Sequence, residues 1–134
     1  MKAKKMEYKP TNCVVLNVGK NFFKVWLEFL APLHGLTNKE IDIAAEFLVK
    51  RHEISKSCSD NELVDKLLFS VEKKEEIRKK FDMTKTYFYT VITKFKQRNF
   101  ITNGRINPKF IPKSGTDKSI YQLLVVFDTK EDDK

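Results

Sequence analysis

The dipeptide Asn103-Gly104 limits what this chain can fold into more than any other pair of residues. Both residues tolerate positive φ, and together they favour the type I′ turn whose twist matches that of two antiparallel strands. The flanking runs are Phe100-Ile101-Thr102 before it and Arg105-Ile106-Asn107 after it. A tight hairpin over residues 100–107 is therefore expected, its second strand running toward Pro108.

The stretch leading into this hairpin has helical spacing. Ile77 and Phe81 fall on one face of a helix over residues 72–81, and Phe88, Ile92 and Phe95 form the inner stripe of another over 84–99. Asp82 and Met83 stand between them, with Met83 suited to plug a sharp turn. Thr84 is placed to cap the later helix, because its hydroxyl accepts a free amide of the first turn. With the inner stripe assigned, periodicity turns Lys85, Thr86, Tyr87, Tyr89, Thr90, Thr93, Lys94 and Gln97 outward. Within the helix, that face holds no carboxylate.

Upstream, Thr37-Asn38-Lys39-Glu40 is a capping box, and Ile41, Ala44, Ala45, Leu48 and Val49 then recur at helical spacing to about Lys50. Residues 52–60 are polar and read as a turn. Asp60 or Asn61 caps a short helix carrying Leu63, Val64, Leu67 and Leu68, with a break at 69–71. Nearer the start, Asn21 is placed to cap a helix to about Leu30, ended by Pro32 and Gly35. Its apolar residues Phe22, Phe23, Val25, Trp26, Leu27, Phe29 and Leu30 cover most of its circumference, so it needs cover on more than one side. Phe22, Phe23, Trp26 and Phe29 are the candidate contacts for a second protomer. Two β-rich runs, 12–18 and 121–127, remain, and they are expected to pair with each other.

These 134 residues suffice for one domain, 11–128, between a basic tail at 1–10 and an acidic one at 129–134 that are both expected to be loose. Cys13 and Cys58 lack the spacing of a zinc site or a disulfide framework and read as reduced thiols. The longest apolar stretch, 22–33, contains Lys24, Glu28 and Pro32 and is too short to span a bilayer. No signal-peptide pattern opens the sequence, so a soluble, cytoplasmic protein without membrane contact is expected. His34 and His52 stand in no nucleophile, base or metal-ligand arrangement, and no glycine-rich phosphate loop is present. The expectation is a protein that is not an enzyme, with no cofactor, no metal and no small-molecule substrate.

Helix, turn, helix and hairpin in this order resemble the winged helix-turn-helix superfamily. Residues 37–50 correspond to its first helix, 72–81 to its second, 84–99 to its third and 100–107 to its wing. The chain departs from the common pattern by the helix inserted at 63–69 and by the aromatic-rich helix and strand at the N-terminal end. The resemblance implies a mainly α fold with a small β-sheet, of the α+β class. The run 100–112, Phe-Ile-Thr-Asn-Gly-Arg-Ile-Asn-Pro-Lys-Phe-Ile-Pro, also looks like the wing of small proteins of tailed bacteriophages and plasmid replication systems.

What this resemblance implies is binding to double-stranded DNA, with the third helix in the major groove and residues 100–112 along the backbone. Thr86, Tyr87 and Thr90 are then candidates for base edges and Lys85 and Lys94 for phosphates, with Tyr89, Arg105 and Lys109 completing the surface. Charge agrees with this. The chain carries 26 Lys and Arg against 18 Asp and Glu, a net +8. Residues 72–100 contribute nine bases (Lys73, Lys74, Arg78, Lys79, Lys80, Lys85, Lys94, Lys96 and Arg98) against Glu72, Glu75, Glu76 and Asp82, an excess of five. A phage or plasmid regulator or replication accessory is the expected role, with homo-oligomerisation through the aromatic helix placing two third helices against successive grooves. The alternative is a structural or assembly component of a phage particle that uses the same fold to bind protein, which the exposed tyrosines also suit.

Overall fold

Helices α1 to α6 occupy Phe22–Phe29, Ala31–His34, Asn38–Ser55, Asn61–Leu68, Val71–Lys80 and Lys85–Gln97, followed by strands β1, Ile101–Thr102, and β2, Arg105–Ile106. They belong to a computed structural model that describes residues 14–114 and 119–131. The basic tail 1–10, Cys13 and the last acidic residues 132–134 lie outside the described residues. Among the described residues the fold is mainly helical with one two-stranded antiparallel sheet.

The capping box at Thr37 forms as its sequence dictates: Glu40 N donates to Thr37 Oγ1 and Thr37 N to Glu40 Oε1 at 2.8 Å. The helix it opens, α3, runs past Lys50 to Ser55, through residues expected to be a turn. Nothing between Lys50 and Ser55 breaks a helix, and Arg51, buried against α4, gives the extra turn a tertiary partner. Asp60 caps α4 by accepting from Glu62 N and Leu63 N, and Ser70 caps α5 by accepting from Lys73 N.

Three expectations at the N-terminal side are corrected. Asn21 makes no side-chain cap; residues Gly19–Asn21 form a 3-10 turn that leads directly into α1. The aromatic helix ends at Phe29, capped by Leu30 as its expected length requires, but Pro32 does not stop it: Pro32 sits in the first turn of α2, where a missing N–H costs nothing. Gly35, at φ 62°, closes α2 by donating its N–H to Ala31 O. The third correction concerns the terminal strands. Residues 14–18 and 122–131 form no strand, and among the described residues the one isolated bridge joins Ser114 to Tyr121.

Phe47 of α3 is the middle of the core. Its ring lies 5.6 Å from Phe69, 6.4 Å from Phe88 and 6.0 Å from Phe95, so α3, the end of α4 and α6 close on one side chain. Phe95, Phe100 and Phe110 continue the stack into the hairpin and the 3-10 turn Pro108–Phe110. Trp26 joins the first part of the chain to the last through its Nε1–H, which donates to Phe110 O at 2.9 Å. His34, only 2% exposed, bridges Leu27 O through Nε2 and Leu36 N through Nδ1, tying α1 to the segment that leads into α3.

Candidate nucleic-acid interface

The corner between α5 and α6 is built by residues 78–84. Asp82 adopts φ 51°, a left-handed conformation that aspartate tolerates better than most residues, and Met83 N donates to Arg78 O at 3.0 Å. Met83 fills the inside of the corner at 5% exposure. Arg78 then staples it from outside. Its Nη1 donates to Met83 O at 2.8 Å while Nε and Nη2 hold both oxygens of Glu75 at 2.7 and 2.9 Å. That bidentate bond holds the Glu75 carboxyl below, and the Arg78 guanidinium above, its ordinary range. Arg78 counts toward the basic excess of the sequence, yet its function in the fold is to hold the turn.

Thr84 caps α6 as expected, accepting from Tyr87 N at 3.1 Å. Phe88, Val91, Ile92 and Phe95 are buried beneath it, and Lys85, Thr86, Tyr87, Tyr89, Thr90 and Thr93 are exposed on the opposite side. Lys94 is half-buried. Thr90 and Thr93 donate their hydroxyls to the carbonyls of Thr86 and Tyr89, so toward a partner they offer an acceptor and a methyl group.

Tertiary packing adds residues that helical periodicity misses. Lys39 of α3 lies 5.3 Å from the centre of the Tyr87 ring, and Lys74 of α5 lies 5.9 Å from that of Tyr89. Both tyrosines are thus held beside a cation, at 38% and 57% exposure. The face is not free of carboxylates, however. Glu40 of α3 lines a hollow of about 370 Å³ with Tyr87, Thr90, Thr93, Lys94 and Gln97, and Glu75 of α5 lies close enough to Lys85 for that cation to help lower its carboxyl. Only tertiary packing reveals this.

No protein-family model matches the chain, and no curated protein and no solved structure is detectably similar to it.

The remaining predicted residues are dispersed. Arg105 sits on β2, after the turn whose central residues Asn103 and Gly104 take φ 54° and 72°. Its Nε donates to Asp65 Oδ2 at 3.0 Å, and the other oxygen of Asp65 accepts from Arg51 Nε at 3.0 Å. Arg105 therefore ties the hairpin to α4 instead of projecting freely. Lys109 is exposed on the 3-10 turn after β2, its backbone N–H held by Asn107. Of the aromatic residues of α1, Phe22 stacks on Tyr121 at 4.4 Å, Phe23 and Trp26 pack against the core, and Phe29 is 60% exposed. Among the described residues no helix is long and apolar enough to cross a membrane.

Proposed function

We propose that this protein is a non-enzymatic winged-helix protein that binds double-stranded DNA, with the N-terminal half of α6 entering the major groove. The observation that carries this reading is a capped helix whose exposed first two turns bear Lys85, Thr86, Tyr87 and Tyr89, flanked by Lys39 and Lys74, on a rigid corner. Such an end supplies free amides, a positive dipole and cations where a phosphate backbone would lie. Lys85 and Lys39 neutralise phosphates, and Thr86 and Tyr89 meet base edges. The hairpin, with Lys109 beyond it, is the wing. Its Arg105 has a structural role, with its outer amino groups left for the backbone.

Binding of a random-sequence duplex, followed by mobility shift from low to moderate salt, tests the reading. Wild type binds at low salt and weakens steeply as salt rises. The variant combining Lys39→Ala, Lys85→Ala and Tyr87→Ala loses affinity, and the slope of log affinity against log salt falls by roughly 2 for the two phosphate-binding lysines removed. Equal binding by the two proteins, or none by wild type at low salt, overturns it. The exposed Phe29 and Leu33 favour a second reading, in which the same fold serves as a structural or assembly component of a phage particle.

A further inference from the structure

Two stretches of this chain are made like buried strands, yet among the described residues the bridge from Tyr121 to Ser114 is all the strand pairing either of them makes. Residues 14–18 expose Val14, Val15 and Leu16 at 80%, 79% and 54%. Residues 121–127, Tyr-Gln-Leu-Leu-Val-Val-Phe, expose every apolar side chain from Leu123 to Phe127 at 45% or more. In an extended chain alternate residues point to opposite faces, so Leu123, Val125 and Phe127 occupy one face and Leu124 and Val126 the other. Apolar residues on both faces are the pattern of a strand covered on both sides, whereas a strand at the edge of a small domain carries polar residues on one.

Both stretches leave the body of the protein from one place. Phe22, just after the first, stacks on Tyr121, which begins the second. Even so, neither stretch forms a ladder within the chain. The physical reason is that a lone two-stranded ribbon is marginal in water, and one apolar on both faces leaves both wet. Two such ribbons laid face to face cover each other.

The need to cover both faces selects a second copy as partner, and charge selects the direction. The residues before the first stretch, 1–10, hold four lysines and one glutamate, and those after the second, 128–134, hold four carboxylates and two lysines. Antiparallel pairing of the first stretch with the second lays the basic segment along the acidic one; parallel pairing does not. The chain thus supplies, in its own second copy, the strand that each arm lacks.

We infer that this protein forms a two-fold dimer by reciprocal exchange of its terminal arms, residues 14–18 of each copy pairing antiparallel with 121–127 of the other. Because the arms share a root, both arms of one copy reach the same partner, and the four strands form a sheet or stacked pair that closes on itself. This interface adjoins α1 only where Phe22 stacks on Tyr121 and does not depend on the DNA-binding reading.

Light scattering of the full chain after size exclusion tests the inference. The expected mass is twice the 15.8 kDa of one chain. Two double variants, Val14→Asp with Leu16→Asp and Leu124→Asp with Val126→Asp, alter only exposed arm residues and are expected to be monomers with an unchanged far-UV circular dichroism minimum. Mixing them restores a dimer, because one intact ladder forms between the sound first arm of one variant and the sound second arm of the other. A monomeric wild type, a polydisperse aggregate, an unchanged dimer in either variant, or a mixture that stays monomeric overturns the exchange.

Discussion

Asp65 places one carboxylate, 1% exposed, between two guanidinium groups that come from α3 and from the hairpin. Arg51 is itself only 9% exposed, so removing Asp65 leaves a charge that water reaches poorly. Asp65→Ala is expected to cost about 3 kcal/mol or more by that mechanism, read as a shift of the urea unfolding midpoint with unchanged slope. Arg105→Ala, losing a half-exposed partner, is expected to cost about 1 kcal/mol or less. A change at Asp65 no larger than that at Arg105 would show the pair to be decorative. Nothing in the sequence marks Asp65, which reads as one polar residue on a short amphipathic helix. Arg105, by contrast, is conspicuous beside the turn and invites a functional reading, although its Nε is used inside the protein. Which arginine is free and which is committed depends on a contact 40 residues apart.

At the scale of elements, the sequence was most legible where a local interaction decides the backbone. The capping box of α3, the Thr84 cap of α6 and the type I′ dipeptide each involve residues within three positions of one another, so their chemistry is written in the order of the chain. Thr84→Ala is expected to destabilise by about 1 kcal/mol. It should also raise hydrogen exchange in the first turn of α6 before it affects α3, since the amide of Tyr87 loses its acceptor. Uniform exchange across both helices would mean that the cap has no separate role. Legibility failed where an element's end is set by packing. The last turn of α3 has its tertiary partner in the ion pair of Arg51 with Asp65, which no local pattern announces.

For the whole molecule, Phe47 shows how few residues hold the helices together. It is fully buried among Phe69, Phe88 and Phe95, so Phe47→Ala opens a cavity shared by α3, α6 and the end of α4. A loss of about 3 to 5 kcal/mol is expected, measured by thermal unfolding, together with loosening of the α6 face that the DNA-binding proposal requires. A loss below about 1.5 kcal/mol would mean that the core collapses around the gap. By itself the sequence determined the helical stripes, the caps at Thr37 and Thr84, the corner at Asp82 and Met83 and the hairpin, because each arises from periodicity or from neighbours a few residues apart. It also marked the terminal runs as β-prone. Only the tertiary structure decided that the described parts of those runs form no ladder with each other, that Glu40 borders the α6 face, and that Arg78 and Arg105 act as braces. Those outcomes depend on which distant groups share space, and no local preference contains that information.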